Sequence, residues 1–98
     1  MTEWTQLPPN TYRVRVWIER DKPDGCRNWE YTVFAADLPG IVSEGDTIDE
    51  CLANIREAFC GAVAVYRDAG DPIPWMPGGE KPLFAEERQL LFEVPGCP

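Results

Sequence analysis

The sequence predicts a two-layer α+β domain of order β-β-β-α-β, with sheet order 3-2-1-4. Three observations carry this. Residues 12–20 set Tyr12, Val14, Val16 and Ile18 against Arg13, Arg15, Trp17 and Glu19, the period of two of a half-buried strand. Residues 48–66 place Ile48, Leu52, Ile55, Phe59, Ala62, Val63 and Tyr66 on one helical stripe at ~100° per residue. Turn residues mark off further short strands before and after that helix. A run of strands with one amphipathic helix is satisfied when the helix covers one face of a single sheet.

The elements follow in order. Pro8 and Pro9 keep residues 1–11 irregular, and the first strand occupies 12–20. Asp21 to Asn28 is a turn by composition. A second strand is expected at about 29–36, rich in Trp29, Tyr31, Val33 and Phe34, and the short connection makes an antiparallel hairpin. Asp37-Leu38-Pro39-Gly40 turns the chain into a short third strand, Ile41 to Glu44, before Gly45. Thr47 to Glu50 is a capping box: the Thr47 hydroxyl accepts from the Glu50 amide, and the Glu50 side chain reaches back to the Thr47 amide. Asp46 and Asp49 add negative charge at the positive helix end. The helix runs to about Asp68, where Gly70 stops it. Residues 71–87 hold Pro72, Pro74, Pro77 and Pro82 and form an extended connection. Residues 88–94 are the last strand. Returning through a helical crossover, it is expected to lie beside strand one and parallel to it.

With 98 residues there is room for one domain, spanning 1–98 with its core at about 12–94. No apolar run approaches the ~18 residues of a membrane span, and the N-terminus lacks the regions of a signal peptide. No membrane association and a cytoplasmic location are expected. Nine basic against 17 acidic residues give a net charge of −8. Phosphate binding needs clustered Lys and Arg, so direct nucleic-acid binding is not expected. An acidic domain suits a basic protein partner. The chain has no His, which removes His-based acid–base chemistry, nucleophilic triads and His metal ligands together. Cys26, Cys51, Cys60 and Cys97 show no CxxC pairing, so no metal site and no cofactor are expected.

The run from Tyr31 to Pro74 resembles the HicB antitoxin family. The resemblance lies in Asp37-Leu38-Pro39-Gly40, then Glu44-Gly45-Asp46-Thr47, Asp49-Glu50, Asn54-Ile55 and Glu57-Ala58, and finally Ile73-Pro74. It covers about 45 residues of the chain. The motif's turn and helix cap comprise Asp37, Leu38, Pro39, Gly40, Gly45, Asp46, Thr47, Glu50 and Asn54. Ile41 stands where many relatives have Cys, Ala36 where many have Pro, and Cys51 where Ala is frequent. The resemblance implies a partial RNase H-like fold and binding of a small, basic HicA-like toxin that cleaves mRNA. Many members add a C-terminal DNA-binding module; this chain ends at Pro98, so no operator binding is expected. The alternative is a solitary HicB-like homo-oligomer. A metal-dependent nuclease would need clustered carboxylates. Its candidates are Glu19 on strand one, Asp37, Asp46, Asp49 and Glu50; of these, Asp46, Asp49 and Glu50 read better as helix-end charges and Asp37 as a turn residue bonding the backbone two residues on. No enzymatic activity is expected.

Trp17, on the outer face of strand one, and the helix patch Cys60, Gly61, Ala64 and Val65 are the candidate partner or dimer surfaces. Cys51 borders the core stripe and reads as an inert thiol, whereas Cys60 lies away from it. Either the proline-rich segment with Trp75 folds over the helix patch, or a second chain does. A symmetric dimer is expected, built on Trp17 with strand-two aromatics or on an outer strand edge. The competing account has residues 1–11 and 71–87, with Trp4 and Trp75, covering the outer sheet face within one chain.

Overall fold

The structure, a computed structural model, describes residues 10–20 and 31–94. The turn at 21–28 and residues Trp4, Cys26, Trp29 and Cys97 lie outside the described residues. The elements are β1 (Thr11–Arg20), β2 (Tyr31–Ala35), β3 (Val42–Gly45), α1 (Ile48–Ala69) and β4 (Glu86–Glu93). They form one four-stranded sheet of order β3-β2-β1-β4, as the sequence predicts. No helix among the described residues is long and apolar enough to cross a membrane.

Alternation places Val14, Val16 and Ile18 of β1 on the buried face, with Val33 and Ala35 of β2 and Phe92 of β4. The helix lays Cys51, Ile55, Phe59 and Val63 onto that face, all fully buried. Leu52 and Ile48 pack at the margin. Phe59 sits at the centre of an aromatic cluster, with ring centroids 5.8 Å from Tyr12, 5.4 Å from Phe92 and 6.0 Å from Trp75. Burying each large side chain of this layer contributes on the order of 1.5–3 kcal/mol.

The direction of the last strand differs from expectation. β4 pairs with β1 antiparallel, from Thr11↔Glu93 to Ile18↔Glu86. The cause is the length of the connection. The 22-residue helix covers about 33 Å and carries the chain back along the sheet. The segment 71–85 then runs as an extended strap in the opposite direction. β4 therefore starts at the end of the sheet where a plain crossover would have finished. It also begins two residues earlier than the periodicity suggests.

The helix cap differs in one bond. The Glu50 amide donates to Thr47 Oγ1 at 3.1 Å, but the Glu50 carboxylate accepts from the Asp46 amide at 2.8 Å rather than from that of Thr47. Thr47 is extended at φ −130° and ψ 163°, and the carboxylate reaches one residue further back. At the other end, Gly70 adopts a left-handed φ of 76° and its amide donates to Arg67 O.

Candidate binding face

β2 is half as long as β1 and pairs only with its second half, Val16↔Ala35 to Arg20↔Tyr31. Past Ala35 the chain makes one more bond to β1, from the Ala36 amide to Arg15 O at 2.8 Å, and then turns. This leaves room beside β1 at Asp37. The strap uses it to pass from the helix face, where Trp75 meets Phe59, to the outer face.

Asp37 fastens the strap there. Its backbone oxygen accepts from the Met76 amide at 2.9 Å, and its Oδ1 from the Gly78 amide at 2.9 Å. Arg15 holds the same carboxylate with Nη2 at 2.7 Å from Oδ1 and Nε at 3.3 Å from Oδ2, and its Nη1 donates to Gly79 O at 2.9 Å. The Arg15 hydrogen bond keeps the Asp37 carboxyl below its ordinary pKa; burial opposes this, and the Gly78 amide and the Arg15 charge assist. Asp37 thus bonds Arg15 and the strap rather than the backbone two residues on. Gly78 is needed by close approach: a Cβ would lie 2.0 Å from Ala36 O and 3.1 Å from the Trp17 ring.

Trp17 is therefore half-covered: Gly78 of the strap approaches its ring, as in the account that has residues 71–87 over the outer face. Its indole Nε1 donates to Glu87 Oε1 at 3.0 Å, and the Arg15 guanidinium stands 5.2 Å from its ring centroid. Phe34 lies opposite Trp17 on β2, and Val42 opposite Phe34 on β3. This cross-strand row floors a groove of about 450 Å³, walled by Pro39, Ile41 and Pro82. Among the described residues, Glu19 is its one charged lining residue. Of the strand-two aromatics, Phe34 lies on this face and Tyr31 packs against the core.

The remaining motif residues have local tasks. Leu38 is buried under the turn, and Pro39 and Gly40 stand exposed at its tip. Gly45 is buried where β3 meets the helix, and Asn54 Nδ2 donates back to Glu44 O at 2.8 Å, tying the helix to β3. Burial raises the Cys51 thiol pKa, and the charges of Glu50, Glu44 and Asp46 add to it. Cys60 is closer to the core than expected: it packs at the cluster's margin, with Sγ 3.7 Å from Glu93 O, because β4 closes over that side of the helix. Burial raises its thiol pKa as well, with Arg56 opposing. Gly61 and Val65 are exposed and Ala64 is half-buried. Sequence reasoning missed the Arg15–Asp37 tie and the strap's path. The only available signal was a Gly-Gly pair in a proline-rich stretch.

No protein-family model matches the sequence, and no curated protein matches it significantly. Solved structures do. The N-terminal domain of Burkholderia pseudomallei antitoxin HicB superposes with a TM-score of 0.59 at 23% identity, over 81% of this chain and 95% of that one. The Burkholderia pseudomallei antitoxin HicB chain superposes with a TM-score of 0.59 at 28% identity, over 85% of this chain. The match spans 63% of that HicB chain's length. In sheet order and helix placement, this chain shares its fold with these antitoxin HicB structures.

Proposed function

We propose that the chain is an antitoxin-type protein-binding module that neutralises a small, basic HicA-like toxin by direct contact and performs no chemistry of its own. The observation that carries this is the likeness to the N-terminal domain of an antitoxin over 95% of that domain. The net charge of −8 supports a basic partner over nucleic acid. Two of the five carboxylates considered for a nuclease have other occupations: Asp37 holds Arg15 and the strap, and Glu50 caps the helix. The same reading includes a cytoplasmic location, no DNA binding by this domain, and a symmetric dimer formed along the edge of β4 that no strand among the described residues pairs, where Leu91 is exposed.

The test is co-expression with the product of the neighbouring gene, which this reading expects to be a small, basic HicA-like toxin. Restored growth and co-purification of the two chains are expected. Unrelieved toxicity with both proteins present would overturn the reading. So would magnesium- or manganese-dependent RNA cleavage that Asp37→Asn abolishes.

A further inference from the structure

The groove on the outer sheet face has a floor of Trp17, Phe34 and Val42 and walls that include Ile41 and Pro82. Its volume of about 450 Å³ is enough for one or two aliphatic side chains. Val42 is 50% exposed on the edge strand, and the groove opens beside it. Leu83 and Phe84, which follow Pro82 in the strap, are 81% and 90% exposed. A groove floored by Trp17, Phe34 and Val42 and open beside Val42 leaves contiguous apolar surface to water, the mark of a contact site.

The charges around it select the occupant. Glu19 lies inside the groove, and Glu44, on the same face of β3 as Val42, pairs with Thr32 beside it. The nearest arginine of that face, Arg15, is committed to Asp37, Gly79 and Glu87. Lys81, whose ammonium donates to Pro82 O at 3.4 Å, is a cation at the wall; Glu19 inside the groove and Glu44 at its edge outnumber it, so the slot favours an aliphatic side chain flanked by Lys or Arg. It disfavours a second copy of this chain, which carries −8 and would bring its own carboxylates.

We infer that this groove is the docking site for a basic, aliphatic segment of a protein partner, with Trp17, Phe34 and Val42 as the apolar anchor surface and Glu19 and Glu44 as the charge filter. The inference rests on the protein-binding reading only in taking a polypeptide as occupant.

The test uses the full chain with two labelled decapeptides, one alternating leucine with lysine and one alternating leucine with glutamate. Binding is followed by fluorescence anisotropy and by amide and indole N–H spectra. The leucine–lysine peptide is expected to bind and to shift the Trp17 indole and Val42 amide signals. Val42→Glu weakens it about tenfold, the loss of one apolar anchor. Glu19→Lys moves the preference toward the leucine–glutamate peptide. Both substitutions lie on partly exposed positions, and an unchanged urea transition confirms intact folding. Shifts confined to another face, or equal binding by both variants, would overturn the inference. So would the same signals moving with protein concentration alone, which would assign the groove to a second copy. Co-expression separates the two readings. If the wild type and both variants protect equally from the toxin, the groove fails and the function stands. If the peptide docks as described but no protection occurs, the function fails and the groove stands.

Discussion

Arg15 and Asp37, 22 residues apart in the chain, meet as a two-pronged ion pair with bonds of 2.7 and 3.3 Å, and the same carboxylate holds the amide of Gly78. One side chain therefore joins β1, the turn after β2 and the strap. Removing it should loosen three segments together. Asp37→Ala is expected to lower stability by about 1–2 kcal/mol, since the pair is charge-assisted but partly solvated. Arg15→Lys should recover little of this, because an ammonium cannot reproduce the two-pronged geometry. Urea denaturation of the two variants measures both effects. A transition unchanged in Asp37→Ala would show that the strap is held by other contacts.

The same pair sets a pH dependence. The folded state lowers the Asp37 pKa below 3.8, chiefly through the Arg15 hydrogen bond. A depressed carboxyl pKa contributes stability that is fully present above the unfolded value and is lost as pH falls through the folded one. The gap between the wild type and Asp37→Asn should therefore be constant at neutral pH and close below pH 3.8. Urea transitions of both proteins at descending pH report it. A gap that persists in acid would assign the effect to shape rather than charge.

Phe59 contributes through packing alone. It is fully buried and touches Tyr12, Phe92 and Trp75. Phe59→Ala is expected to cost roughly 3–5 kcal/mol. Trp75 should lose its apolar support, so its emission shifts to the red in the native baseline. An unchanged melting temperature would refute the phase of the helix.

The parts legible in the sequence are those set by local periodicity. The alternation of β1, the Ile55–Phe59 stripe and the buried Cys51 each follow from spacing along one element. The sheet order followed from hairpin connections and one crossover. What was not legible depends on the strap. Prolines forbid a helix at 71–85 but do not say which way an extended chain runs, so the direction of β4 was misjudged. Arg15–Asp37 and the half-cover of Trp17 follow from that path too, as pairings between segments that share no sequence pattern. The shift of the Glu50 bond to Asp46 is a matter of side-chain reach, which residue types do not encode.

Two glycines offer a paired test of the strap. Gly78 lies against Ala36 O, so Gly78→Ala must lift the backbone and is expected to cost about 1–3 kcal/mol. Gly61 lies in the helix with open space where a Cβ would be. Gly61→Ala is expected to raise stability by roughly 0.5–1 kcal/mol, by narrowing the unfolded ensemble and improving helix propensity. Opposite shifts of the two urea midpoints are the expected result. Equal tolerance at Gly78 would mean that the strap does not rest on the end of β2.

The last prediction concerns the edges of the sheet. β3 is only four residues long, and its residue Val42 borders the groove. β4 has eight residues, with one side paired to β1 and the other unpaired by any strand among the described residues. A long free edge pairs readily with its own copy, and a twofold axis through it requires one surface only. Light scattering at micromolar concentration should give twice the 11.1 kDa chain mass. Leu91→Glu adds a charge to each copy at the edge and should return the protein to the monomer. Val65→Glu, on the exposed helix patch, should leave the dimer intact. A single-chain mass for the wild type would sink the dimer. Survival in Leu91→Glu with loss in Val65→Glu would move the contact to the helix.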